Sequence, residues 1–344
     1  MKFVKKVLGL SFSFVGCVIG AGFISGREIV SFFSGSDVIL NAVTVFLSFF
    51  FGFVCVIVNK KFHDNVLFTI TQPVILAFDL VMMGGMLSFA DSVQIQIMGE
   101  RFSFPIFSIV FILASNLILA KGNGAIKKVN LYLVPIMILF SVLTCLLKGQ
   151  PQFISSKILY PNKIFSYVGL NLFCSSLFFI QLSKDESPAV KIMTAVLSSL
   201  TLSILILVIS STLFSEDKRI VYSDIPLLDL AGRGGVLFYA LALCMTFGAF
   251  TTLVSDHLPL FLFVENKKFT VFNRIVLSAA AFLISRLGFY KIVGTVYPLL
   301  GVFGGITIAV ISILTIFFPK RKLSGTSIPQ ARKELSYSSL RDLT

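Results

Sequence analysis

Apolar runs of about 20 residues, joined by short polar segments, recur along almost the whole of this 344-residue chain. A helix that crosses the hydrocarbon core of a bilayer needs about that length. The runs predict ten spans, at roughly 7–33, 38–58, 74–98, 105–120, 129–147, 164–182, 190–213, 235–263, 273–289 and 291–318. They are continuous rather than alternating and far exceed a strand of about ten residues, which excludes a transmembrane β-barrel. The expected fold class is an all-α polytopic membrane protein.

Composition closes the other routes. Hydrophobic residues make up 56% of the chain and charged residues 13%, with a mean hydropathy of +0.95. A soluble domain carries about one quarter charged residues, so there is too little polar surface here to coat a globule in water. The same values exclude intrinsic disorder, and five cysteines in so long a chain exclude a disulfide scaffold. The net charge is +13, but the basic residues lie between apolar spans rather than along a groove. The lipid bilayer is therefore an expected partner and nucleic acid is not. Trp is absent, so Tyr and Phe must furnish the interfacial belt.

Lys and Arg placement gives the expected orientation. With the N-terminus in the cytoplasm, the inner segments hold Lys2, Lys5, Lys6, Lys60, Lys61, Lys121, Lys127 and Lys128. They also hold Lys184, Lys191, Lys267, Lys268, Arg274 and the basic residues between Lys320 and Arg341. That is the larger share of the basic residues, so both termini are expected to be cytoplasmic. Residues 1–318 form the expected membrane domain, and 319–344 read as a basic, disordered tail. The segment around Gly16-Cys17 loosely resembles a lipoprotein leader, but Phe14 suits that cleavage poorly.

Span one is the most informative. Gly16, Gly20, Gly22 and Gly26 fall within eleven residues, followed at once by Arg27-Glu28. Each glycine costs a helix about 1 kcal/mol relative to Ala. Close helix packing would explain Gly16 and Gly20, whose spacing is small-xxx-small. A discontinuous helix explains the whole set: one half ends near Gly20 and a second restarts near Ile24. The break leaves carbonyls that suit a small cation and amides that suit a carboxylate.

The stretch Gly20-Ala21-Gly22-Phe23-Ile24-Ser25-Gly26-Arg27-Glu28-Ile29, with Phe32-Phe33, resembles the signature of YkvI-type bacterial membrane proteins. It departs from that pattern at Ile24, where Ala is common, and at Arg27, where Gln is frequent. Those proteins resemble in turn the amino acid–polyamine–organocation superfamily. The resemblance implies a LeuT-like fold, two inverted repeats of five helices with helices 1 and 6 broken, in a bacterial cell membrane. It also implies a secondary transporter of a small amine-containing solute such as an amino acid, working by alternating access.

Under that resemblance, span six should break as the partner of span one, at Gly169 and Asn171. The expected substrate site comprises Gly20, Ala21, Gly22, Phe23 and Ser25, with Gly84 and Gly85 of span three, Asp91, Gly169 and Asn171. Asp79 and Asp91 lie 12 residues apart, about 18 Å along a helix, so they cannot form one dyad. Asp79 reads as a paired or solvated carboxylate near the inner interface. In sodium-coupled LeuT-type proteins, hydroxyls of span eight meet carbonyls of span one around the ion. Thr251 and Thr252 match that pair by position, with Gly20 as a carbonyl donor; the alternative is threonine bonded back to its own helix. Asp256 and His257 read as a hydrated pair at the inner end of span eight. Span five offers no lysine to replace the ion, since Lys127 and Lys128 precede it and Lys148 follows.

An enzyme is not expected. There are two histidines and no HExxH, no nucleophile or aspartyl-protease motif, and no phosphate-binding loop. The five cysteines lie within spans without CxxC spacing and read as packing residues. No cofactor is expected beyond a sodium ion. The rival class is a non-transporting ligand sensor or assembly subunit on the same fold. Substrate identity, sodium or proton coupling, and oligomeric state are not written in the sequence.

Overall fold

The computed structural model describes residues 2–99, 104–152, 158–265 and 270–317. The tail at 319–344 lies outside the described residues. Among the described residues the regular elements are helices alone.

Span one falls into three pieces: α1 (Lys2–Val18), the single turn α2 (Ala21–Ile24) and α3 (Arg27–Phe33). Then come α4 (Val38–Phe53), which runs on as a π-helical turn to Val58, and the short α5 (Lys60–His63). The long α6 (Val66–Met98) is followed by α7 (Ile106–Ala120) and α8 (Asn123–Lys148). A second interrupted segment comprises α9 (Pro161–Cys174) and α10 (Ser176–Ser183), bent by 52° at Ser175. Next are α11 (Pro188–Leu213), the short α12 (Lys218–Val221) and α13 (Pro226–Ala231), and α14 (Val236–Glu265). The chain ends with α15 (Thr270–Ser285), α16 (Phe289–Lys291) and, after a π-helical turn, α17 (Tyr297–Phe317).

Local chemistry sets these boundaries. The side chains of Asp37 and Asn65 accept from the amides of Leu40 (2.8 Å) and Leu67 (2.9 Å), capping α4 and α6. Pro161 and Pro188 occupy the first positions of α9 and α11, where no amide bond is lost. Gly26 separates α2 from α3 in the left-handed region, at φ 82°, which disfavours any residue with a Cβ.

Among the described residues, six helical segments qualify by length and apolarity as membrane spans, or seven if the bent α9–α10 pair is one. The protein is therefore an all-α, multi-pass membrane protein. Its outer surface agrees: Leu117 on α7, Leu283 on α15 and Phe317 on α17 are each about two-thirds exposed. In water such a surface would drive aggregation; against acyl chains it costs nothing.

Helix neighbours follow a regular scheme. α1 packs on α8 and α11, α4 on α9 and α11, and α6 on α7, α14 and α15. α14 also packs on α7, α8 and α15, and the most extensive pair is α9 with α17. Small residues permit that last approach: a Cβ on Gly169 would strike the backbone of Gly305, and one on Gly304 would meet Phe173 and the Gly169 carbonyl. Phenylalanine fills the interior. Phe14 lies 4.4 Å from Phe179 and 5.5 Å from Phe53, and Tyr167 packs on Phe32, Phe33 and Phe49 at 5.1–6.1 Å between ring centres. These rings join both interrupted segments to α4.

Because the obstacle at Gly169 is backbone, it cannot be relieved by a rotamer change. Gly169→Val should therefore cost about 1–3 kcal/mol or more, read as a fall of several degrees in the thermal midpoint of detergent-purified protein. Gly235→Val, whose Cβ meets nothing within 4 Å, should leave the midpoint unchanged.

Candidate functional site

The interruption of span one is the centre of the site. α1 stops at Val18, and the Gly20 amide turns back to the Val18 carbonyl at 2.8 Å. Gly20 itself is extended (φ −77°, ψ −172°) before α2 begins. The helical ladder is thus broken and carbonyls are released in the interior of a membrane protein. Side chains of α14 take them up. The Thr252 hydroxyl bonds to the carbonyls of Gly16 (3.1 Å) and Cys17 (3.2 Å), and Thr251 reaches Gly16 at 3.4 Å. Thr251 also bonds back to Gly248 at 3.0 Å. Both readings of the threonines therefore hold in part: they bridge to span one, and Thr251 also bonds along its own helix. Gly20 lies against Thr252, although the carbonyls that the threonines contact are those of Gly16 and Cys17.

A second break follows at Ser25–Gly26. Ser25 donates to the Gly22 carbonyl (2.9 Å) and accepts from the Arg27 amide (3.2 Å), while its own carbonyl takes the Leu227 amide (2.9 Å). Residues 20–26 are entirely buried. Gly22 has no left-handed backbone; it lies within the α2 turn. What excludes a side chain there is the Glu28 carboxyl, which a Cβ would strike.

The α9–α10 bend meets this region directly. The Cys17 thiol donates to the Ser175 hydroxyl at 3.0 Å, tying the two interruptions together. The bend falls at Ser175 and not at Gly169 and Asn171, where α9 is continuous. Asn171 donates to the Tyr167 carbonyl (2.9 Å) within its own helix, and Gly169 serves the α9–α17 packing. Ser176 satisfies the Phe173 carbonyl at 2.8 Å, so the bend leaves less backbone to be compensated than the break at Gly20 does.

Span three contributes otherwise than its sequence suggested. Gly84 abuts Ile284 and Ala281 of α15, and Gly85 abuts the Tyr297 hydroxyl. Asp91 is paired with Arg286 and accepts from the Ser108 hydroxyl at 2.7 Å, away from the interruptions. Asp79, expected near the interface, is fully buried (0% exposed), and neither carboxyl oxygen has a hydrogen-bond partner. It lies within electrostatic reach of Asp256 on α14, and both act on Cys174 at the bend. Asp256 is 2% exposed, with Oδ2 unpartnered. It does not form a hydrated pair with His257, which is itself buried and shares a hydrogen bond with Ser115 of α7 (3.1 Å).

Three further groups complete the ring. Glu28 is 4% exposed and interacts electrostatically with Tyr167 and Tyr297, whose buried hydroxyls are both unpartnered. Arg27 turns away, donating to the carbonyls of Tyr222 and Ser223 (3.4 Å each) and stacking on Tyr290. The site thus places Glu28, Asp79 and Asp256 around two interrupted helices, and both Asp79 oxygens and Asp256 Oδ2 lack a hydrogen-bond partner. Among the described residues, no group of three or more His, Cys, Asp or Glu is arranged to hold a metal ion. Sequence reasoning missed Asp79, Asp256 and Glu28 as one group. The available signal was that an ionisable residue inside an apolar span is costly and marks function.

These features define the class: an all-α, multi-pass membrane protein with a buried polar site between interrupted helices. No family model matches the chain. It is similar to the uncharacterized membrane protein YkvI of Bacillus subtilis (strain 168), with 27% identity over 333 residues, which cover 85% of this chain and 91% of that protein.

Unpaired buried carboxyls lower stability, so a neutral isostere should not. Asp79→Asn should be at least as heat-resistant as the wild type in detergent. A fall of several degrees in thermal midpoint would instead mean that the carboxyl has a stabilising partner.

Proposed function

We propose that the protein is a secondary transporter of a small, positively charged amine-bearing solute such as an amino acid, working by alternating access in a bacterial cell membrane. The observation that carries this reading is the buried, unpartnered Asp79 carboxyl beside Asp256, at the meeting of two interrupted helices. A carboxylate buried without a donor is costly, and a bound cation offsets that cost. Discontinuous helices that meet inside a membrane protein are a recurrent way of building a solute site there.

The architecture proposed is ten crossings in two inverted repeats of five. The six long segments, the α9–α10 pair, the α1–α3 segment and the shorter apolar helices α7 and α15 supply them. Helices of 15 and 16 residues span about 22–24 Å, short of a typical core but within what local thinning accommodates. The neighbour scheme supports the repeat. Shifting each partner by five crossings turns α1–α8 into α9–α17, α4–α9 into α11–α1, α6–α7 into α14–α15, and α6–α15 into α14–α7. The pairs α4–α11 and α6–α14 map onto themselves.

Sodium is the proposed coupling ion. Two threonine hydroxyls and the carbonyls of Gly16 and Cys17 are neutral oxygens, the donor type that interrupted helices offer to Na⁺. No catalytic role is proposed for any residue. The test is flux into proteoliposomes of pooled amino acids and polyamines, with and without a sodium gradient. Solute binding without flux would favour the ligand-sensing alternative.

Two outcomes follow. Replacing Thr251 and Thr252 together by Val should abolish the sodium dependence of substrate affinity while changing affinity at zero sodium much less, because coupling is reciprocal. A wild type indifferent to sodium would remove the ion from the account. In topology, a cysteine at Asp185 should be labelled by an impermeant reagent only after permeabilisation, and one at Lys218 from outside intact cells. Labelling of both from one side would sink the ten-crossing arrangement.

A further inference from the structure

A separate cavity of about 550 Å³ opens between the starts of α1 and α8, at the end of the molecule opposite the α11–α12 joint in the proposed topology. Its walls carry Lys5 and Lys6 of α1 and Lys127 and Lys128 of α8, against a single acid, Glu186 from the joint between α10 and α11. Lys6 and Lys127 are used internally: both pair with Glu186, at 3.0 and 3.4 Å. Partial burial pushes the Glu186 carboxyl upward, but the Lys6 hydrogen bond and the charges of Lys127 and Lys6 outweigh it and hold it below the usual carboxylate range. One acid thus answers two of the four lysines, and the cavity keeps the charge of Lys5 and Lys128.

The space is built into the backbone. Gly9 on α1 and Gly124 on α8 line the cavity, and a Cβ on either would meet nothing within 4 Å. The cavity also continues into apolar surface. Tyr132 lines it and is 63% exposed, and Ile136 and Leu139 follow on the same exposed face of α8. On α1, Phe3 and Val4 are exposed beside Lys5. A soluble anion needs only the lysines. A molecule with a phosphate head and acyl chains uses the lysines, the glycine-lined space and the apolar ridge together.

We infer that this cavity is a binding site for one anionic phospholipid, its headgroup phosphate held by Lys5 and Lys128 and its acyl chains laid along Tyr132, Ile136 and Leu139. The bound lipid fastens α1, which carries the interrupted segment, to α8. The inference does not rest on the transport reading.

The experiment measures fluorescent phosphatidylglycerol bound to the full chain in neutral detergent, with fluorescent phosphatidylcholine as the zwitterionic arm of zero net charge and glycerol phosphate as a soluble competitor. Preference for phosphatidylglycerol is expected, with little competition by glycerol phosphate. At about 1 kcal/mol per lysine near an anionic surface, and tenfold per 1.4 kcal/mol, the double change Lys5→Gln with Lys128→Gln should weaken binding roughly thirtyfold. Lys5→Arg with Lys128→Arg should retain it, which separates lost charge from lost fold. Gly124→Leu, filling the space without altering charge, should weaken it as well, and Lys218→Gln with Arg219→Gln at the other end should not. Equal binding of the two lipids, undiminished binding by the Gln pair, or full displacement by glycerol phosphate would overturn the site.

Discussion

Every other feature of the site depends on one constraint: a helix interrupted inside a membrane protein must find new partners for the backbone groups it releases. Water is not available there, so those partners must be protein or ligand. At the Gly20 break they are the hydroxyls of Thr251 and Thr252, which reach the Gly16 and Cys17 carbonyls from α14. That requirement fixes the distance between α1 and α14 and the face that α14 turns inward. Thr252 and Asp256, one turn apart, share this face, so the groups that satisfy the backbone also bring the acid to the break. Packing and charge at the site are thus consequences of a single accounting of hydrogen bonds.

Charge gives the site its character. Arg27, adjacent in sequence to Glu28, is spent on backbone carbonyls and on Tyr290, and Arg286 is spent on Asp91. Asp79 and Asp256 are left facing one another and the Cys174 thiol, and Glu28 the hydroxyls of Tyr167 and Tyr297. A group of this kind costs stability, and a protein retains it where it binds something positive or exchanges a proton.

Much of this was legible in the sequence, for reasons that can be named. Helix extents followed from continuous apolar runs, which coincide with helices to within a few residues except where α1, α6 and α8 extend beyond them. Among the described residues, however, six of these segments, or seven with the bent pair, qualify as membrane spans. The glycine cluster marked the Gly20 break because four glycines in eleven residues, followed at once by Arg27-Glu28, are poorly explained by helix packing alone. The bend in α9–α10 was misplaced to Gly169 and Asn171 because glycine serves close packing as readily as it serves unwinding, and here Gly305 lies opposite. The deeper difficulty was Asp79 against Asp91. Both are aspartates within one long apolar helix, and burial depends on what faces them. Asp91 meets Arg286 and Ser108, which lie nearly 200 and 17 residues away; Asp79 meets Asp256. No local pattern encodes that difference.

The two interruptions differ in how their backbone groups are satisfied. At the first, the backbone is held by hydroxyls from another helix. At the second, Ser176 and the amides of Ser175 and Phe179 keep the bonding within α9 and α10. Displacing α1 from α14 therefore breaks hydrogen bonds that span one cannot replace from within, unless an ion or solute supplies them. Displacing α10 from α1 breaks one hydrogen bond, Cys17–Ser175, in which a thiol is a weak donor, together with the packing of Phe14 on Phe179. In hydrogen bonds, the α1–α14 seam is therefore the more strongly joined of the two. A cation seated among the carbonyls of Gly16 and Cys17 would strengthen the first seam and add nothing to the second, so its binding energy would act on one specific interface.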